Sequence, residues 1–173
     1  RINMRKISAK RCFLISAAVL LIAALIIAGG IILFGKKTVG KQVKIGKVYD
    51  FYYTVSTSTF PPHFQRYRFT AEDGKYLFRH ETREGDHIPL TEEDTTVSGT
   101  LELTEEQWNE FFRLLEGGTV RNRTESLDSG YKGPFLYLYW TGDRGKCQQF
   151  EFESYGKRIK FEEFCLALKE QTG

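Results

Sequence analysis

Residues 64–83 read FQRYRFTAEDGKYLFRHETR. Asp73-Gly74 sits at the centre of this run, and Asp-Gly is favoured in two-residue hairpin loops, where both central positions need positive φ. With Asp73 and Gly74 as the loop, Glu72 faces Lys75, Phe69 faces Phe78 and Tyr67 faces His80. One face then carries Tyr67, Phe69, Ala71, Tyr76, Phe78 and His80. A slip of one residue would scatter those side chains over both faces, so the apolar pattern fixes the register. On the other face, Arg68 comes opposite Arg79 and Arg66 opposite Glu81.

The neighbouring segments extend this hairpin into a sheet. Upstream, Tyr49, Phe51, Tyr53 and Val55 alternate with Asp50, Tyr52 and Thr54, a strand that ends before Pro61-Pro62. Downstream, Val97, Gly99, Leu101 and Leu103 alternate with Ser98, Thr100 and Glu102. Thr104-Glu105-Glu106-Gln107 is a capping box, and Trp108, Phe111, Phe112 and Leu115 follow at helical spacing up to Gly117-Gly118. Residues 119–133 read as a loop. Phe135–Thr141 and Lys146–Ser154 read as two strands around a Gly142–Gly145 turn, and a last helix carries Phe161, Phe164, Cys165 and Leu168 on one stripe. The order is β-β-β-β-α-β-β-α. It predicts an α+β domain, an antiparallel sheet of about six strands with two amphipathic helices on one face.

Charge divides the 173 residues sharply. Residues 1–47 hold ten Lys or Arg and no Asp or Glu, whereas residues 48–173 carry 15 basic and all 22 acidic residues, a net −7. Phe13–Phe34 is a run of 22 uncharged residues whose only hydroxyl is Ser16. A helix of that length spans roughly 33 Å, enough for a hydrocarbon core of about 30 Å. The sequence therefore predicts a basic stub over 1–12, a transmembrane helix over 13–34, a Gly/Lys-rich linker over 35–47 and a globular domain over 48–173. A signal peptide is the competing reading, but its apolar region is shorter and ends at a small-residue site before a polar start. The expected localisation is the cell membrane, single-pass, with the bilayer as partner, the N-terminus cytoplasmic and the domain outside. Basic residues are equal in number on the two flanks, so orientation rests on the short stub alone.

Residue types narrow the chemistry. No Gly-x-Ser-x-Gly or Cys-His context surrounds any of the three His, and no Gly-rich phosphate loop opens a helix. His80, Glu81, Glu84, Asp86 and His87 fall within eight residues and are the one metal-like cluster. Zinc needs three or four ligands converging on a point, and in a strand His80 and Glu81 point to opposite faces. No catalytic residue, metal ligand set or cofactor is assigned. Cys147 and Cys165 can pair as a disulfide outside the cell, or stand as two small buried hydrophobes. The net −7 of residues 48–173 argues against nucleic acid as a partner.

Two surface features point to binding. Arg68 directly opposite Arg79 is unfavourable unless an anion intervenes, with Glu102 and Glu151 the candidates on other strands and a bound partner the alternative. Arg66, Arg68 and Arg79 are candidate binding residues on that ground. Phe135, Tyr137 and Tyr139 alternate with Leu136, Leu138 and Trp140. One set must face the helices, and the other forms an aromatic stripe on the open face or is covered by a second layer. Tyr137 and Tyr139 are candidates of this kind.

The capping box at Leu103–Gln107, Asp128, the aromatic strand, the Gly142–Lys146 turn and the C-terminal Phe/Leu helix together cover residues 97–170. This pattern resembles the uncharacterised membrane-anchored or lipoprotein domains of Gram-positive gut bacteria, a domain of unknown function. The resemblance implies a bacterial envelope setting and transfers no site residues. The chain departs from the lipoprotein versions in lacking a Cys just after the apolar run. The expectation is a membrane-anchored, non-enzymatic binding module with a protein or cell-wall partner. The alternatives are a metal-assisted hydrolase using residues 80–87 and a cytoplasm-facing regulator of a neighbouring membrane protein.

Overall fold

The computed structural model describes residues 9–57, 59–123, 134–143, 145 and 148–172. The chain divides into two compact units, residues 1–35 and residues 36–173.

The first unit contains helix α1 (Ala9–Phe34). Its described side chains over residues 14–26 are exposed. Among the described residues no helix is long and apolar enough to cross a membrane. That finding corrects the expected transmembrane helix over 13–34, and with it the single-pass, signal-anchor and cell-membrane reading.

Among the described residues, the second unit is built on one eight-stranded sheet. Its strands are β1 (Lys37–Thr38), β2 (Val48–Thr57), β3 (His63–Glu72), β4 (Lys75–Glu84), β5 (Thr95–Leu103), β6 (Thr119–Asn122), β7 (Phe135–Trp140) and β8 (Gln148–Glu151). Every pairing is antiparallel, and the spatial order is β1-β6-β8-β7-β2-β3-β4-β5. The expected count of about six is corrected to eight. The additional strands, β1 and β6, are two and four residues long, too short to show a period of two.

The β3–β4 hairpin closes as its sequence demands. Asp73 (φ 50°) and Gly74 (φ 77°) are both left-handed, and Glu72 pairs with Lys75, Phe69 with Phe78 and Arg68 with Arg79. Of the stretch 35–47, expected as a Gly/Lys-rich linker, residues 36–47 belong to the fold. Val39 and Val43 are buried, and Val39 exchanges main-chain bonds with Gly118 O at 2.9 Å and Gly117 N at 3.1 Å.

Helices α2 (Glu105–Leu115) and α3 (Tyr155–Glu170) bury their apolar stripes on one face of the sheet. In α2 the capping box is formed: Gln107 N donates to Thr104 Oγ1 at 3.1 Å and Thr104 N donates to Gln107 Oε1 at 2.9 Å. Phe111 stacks on Phe69 at 4.1 Å between ring centroids, and Trp108 stacks on Tyr76 at 4.5 Å. Phe51 meets Phe111, Phe150 and Phe161 edge-on at 5.4–5.5 Å. Edge-on and offset-stacked pairs of this kind contribute about 0.5–1.5 kcal/mol each beyond their buried area.

Candidate functional site

Strand pairing places the non-helical face in rows. One row crosses the sheet from Arg121 through Gln149, Tyr137, Tyr52, Arg68 and Arg79 to Thr100. The next carries Phe135, Thr54, Arg66, Glu81 and Ser98. The alternation of β7 is thereby decided. Leu138 and Trp140 are buried toward the helices, while Tyr137 and Tyr139 are half-buried on the opposite face.

The arginines are held in a network. Arg68 donates to both Asp50 oxygens, Nε to Oδ1 at 3.0 Å and Nη2 to Oδ2 at 2.8 Å, the two-pronged geometry that makes such pairs strong. This bonding raises the Arg68 pKa further. Arg79 donates to Glu72 at 3.3 and 3.5 Å and to Thr70 Oγ1 at 3.0 Å, and its hydrogen bonding holds the Glu72 carboxyl below its ordinary value. Arg66 pairs with Glu81 at 3.4 Å, and Arg83 shares that carboxylate at 3.1 Å. The Arg68–Arg79 opposition is therefore relieved by Asp50 and Glu72. The expected partners serve elsewhere: Glu102 binds Lys75 at 2.8 Å and Glu151 binds Lys36 at 3.4 Å.

Aromatic rings interleave with the guanidiniums. Arg68 lies 4.8 Å and Arg66 5.5 Å from the Tyr52 ring centroid, and Arg66 and Arg83 lie 4.9 and 4.5 Å from that of Phe64. Arg123 Nη1 donates to Tyr137 Oη at 2.7 Å. Tyr139 packs against Tyr52 and Tyr49 at 6.2 and 6.4 Å. Tyr49 Oη donates to Asp143 Oδ2 at 2.8 Å, and burial together with that bond pushes its pKa up to about 12. Burial, then the Asp50 charge, raises Tyr52 as well.

Two depressions result. One of about 540 Å³ is lined by Tyr49, Tyr52, Arg66, Phe135, Tyr137 and Tyr139. The other, about 340 Å³, is lined by Arg66, Arg68, Arg79, Arg83 and Ser98. The candidates Arg66, Arg68, Arg79, Tyr137 and Tyr139 thus share one face. Tyr52, Arg83 and Arg123 belong beside them, and no pattern local to those residues marked them out. Tyr52 was visible only once β2 was known to lie between β3 and β7. A third cavity, by the start of α3, holds Arg158, which meets Glu162 at 3.4 Å and stacks on Tyr155 at 4.8 Å.

The 80–87 cluster does not converge. His80 is buried on the helical face with Nε2 2.9 Å from Thr172 Oγ1, Glu81 holds Arg66 and Arg83 on the other face, and His87 lies beside Asp86 and Asp94 at 3.5 and 3.3 Å. Among the described residues no group of three or more His, Cys, Asp or Glu is placed to hold a metal ion. Cys165 is a buried free thiol whose pKa burial drives upward; Cys147 and Asp128 lie outside the described residues. Compared with known proteins, the chain matches no family model, no curated protein and no solved structure, so the resemblance over residues 97–170 receives neither support nor contradiction.

Proposed function

We propose that residues 36–173 form a non-enzymatic binding module whose open sheet face docks an acidic segment of a protein partner. One observation carries the reading. A domain whose residues 48–173 are net negative gathers Arg66, Arg68, Arg79, Arg83, Arg121 and Arg123 among tyrosines on a single face. The carboxylates on that face are Asp50, Glu72, Glu81, Glu92, Glu102 and Glu151, the last two held by Lys75 and Lys36. Arg66, Arg68 and Arg79 each keep 35% of their side-chain surface exposed. Arginine beside tyrosine is the pairing enriched at binding hot spots, since both supply large contact area with directional hydrogen bonds. Arginines already held by Asp50 and Glu72 lose little further entropy on meeting a ligand carboxylate.

The test uses the full chain and a fluorescein-labelled peptide of alternating Glu and Tyr, with alternating Lys and Tyr as the charge control. The acidic peptide is expected to bind, more weakly as salt rises, and the basic one is not. Tyr137→Ser with Tyr139→Ser should weaken binding by roughly tenfold or more in a variant that still unfolds cooperatively, at a lowered midpoint. Equal binding of both peptides, or full affinity in the folded double variant, would overturn the reading. Preference for an acidic polysaccharide over the acidic peptide would also overturn it, replacing protein by glycan as the ligand.

A further inference from the structure

The sheet has two edges, and they differ. β1, at one end, is two residues long, so it offers almost no ladder to a newcomer. β5, at the other, runs nine residues, TTVSGTLEL, and most of it is exposed. Natural sheets blunt a long edge with lysine, proline or an inward-pointing charge, because its unpaired N–H and C=O groups template another strand. β5 has none of these; its one interruption is a bulge at Thr96, which leaves Val97–Leu103 as the regular stretch. Its single charge, Glu102, is already bound to Lys75 on β4. The remaining residues are Thr, Val, Ser, Gly and Leu, and Val97 stands 45% exposed.

The sequence of β5 also matches itself. An antiparallel pair with Gly99 on the twofold axis sets Val97 opposite Leu101 of the second copy on the helical side. On the open side it sets Ser98 opposite Thr100, while Thr96, at the bulge, lies outside the regular pairing. Apolar meets apolar, hydroxyl meets hydroxyl, and no like charges face each other, which is the favourable set of cross-strand pairs. Thr172 roofs Gly99 on the helical side, so the two Thr172 side chains come beside each other across the axis. A twofold pairing uses the same patch on both subunits and closes at two, leaving β1 as the only outer edge on each side.

We infer that β5 is a homodimerisation edge, joining two copies of this chain through an antiparallel β5–β5 pair into one continuous sheet. The inference is independent of the open-face reading, since β5 pairing uses main-chain groups and leaves Tyr137 and Arg68 untouched.

Amide hydrogen exchange on the full chain tests it, measured from roughly 1 µM to 1 mM alongside sedimentation. Amides within 95–103 are expected to gain protection as concentration rises, in step with a monomer-to-dimer shift, while the β3 and β4 amides stay constant. Ser98→Lys with Thr100→Lys places like charges opposite each other across the pair and should abolish both changes. Ser98→Lys with Thr100→Glu places opposite charges there, and each also faces a favourable neighbour on β4, Glu81 and Arg79. That variant should keep the dimer. Exchange in 95–103 that ignores concentration would overturn the inference, as would a dimer that persists in the double-lysine variant with those amides open. The wild-type series decides even if a variant fails to fold.

Discussion

His80 shows how much a single residue can fix. It pairs with Tyr67 across β3 and with Gly99 across β5, and its Nε2 lies 2.9 Å from Thr172 Oγ1. Gly99 suits this close approach, because a Cβ there would lie 2.5 Å from His80 Nε2 and 2.8 Å from Thr172, so both side chains would have to shift. His80 Nδ1 is buried with no hydrogen-bond partner among the described residues. Burial first, and the positive charge of Lys169 second, push its pKa below the ordinary value. The neutral ring is therefore the folded form. An unfolded histidine titrates near pH 6.5, so below that value the unfolded chain takes a proton that the folded chain resists. Stability should be full above about pH 6.5 and fall as pH drops from there toward the lowered folded pKa. Denaturation midpoints measured from pH 8 to 5 should show this slope, and His80→Gln should remove it. The same slope in His80→Gln would assign the loss to another group. Glu72 and Asp94, whose carboxyls are held low, lose their contribution in a more acid range, below about pH 4, and do not confuse the comparison.

At the scale of the element, local signals worked where they were strong. The Asp73-Gly74 turn and the apolar alternation around it determine ten residue pairs of the β3–β4 hairpin, Arg68 against Arg79 included. The capping box fixes the start of α2, and the acidic Glu105 and Glu106 in its first turn add to the N-terminal preference. Thr104→Ala should remove the Oγ1 acceptor and cost about 1 kcal/mol of stability, read as a lowered denaturation midpoint with unchanged slope. A loss below a few tenths would mean that burial of Trp108 and Phe111 alone sets the helix start. Weak elements were illegible for a physical reason. β6 is Thr-Val-Arg-Asn, with one buried side chain, Val120, and β1 is Lys-Thr, so neither carries a pattern. Both exist because the sheet supplies a partner strand, which is information that no local window contains. The candidate site was legible in the same uneven way. The hairpin register placed Arg66, Arg68 and Arg79 together, but the anions that settle them, Asp50 and Glu72, follow from the β2–β3 pairing and the hairpin end.

The whole molecule shifts the boundary that composition suggests. The Gly- and Lys-rich stretch 35–47 looks like a spacer, because its polar residues outnumber its apolar ones. Yet the fold uses the few apolar ones: Val39 and Val43 are 1% and 0% exposed, and both belong to the same core cluster as Phe51 and Phe111. Lys47 O accepts from Thr141 N at 2.9 Å, and β1 pairs with β6 through Lys37–Val120 and Thr38–Thr119. Among the described residues, every member of that core lies between Val39 and Leu168, and residues 36–173 form a compact unit by themselves. Two truncations separate these readings. Removing residues 1–35 should leave the unfolding free energy of the remaining unit within about 0.5 kcal/mol of the full chain, as expected of a unit that is compact by itself. Removing residues 1–47 deletes two fully buried valines, each worth roughly 1.5–3 kcal/mol, and exposes the outer edge of β6 as well. That variant should lose about 3–6 kcal/mol, a large share of the total for a domain of this size. Equal stability of the two truncations would return residues 36–47 to the role of a spacer, and a large loss in the shorter deletion would mean that the first unit supports the second.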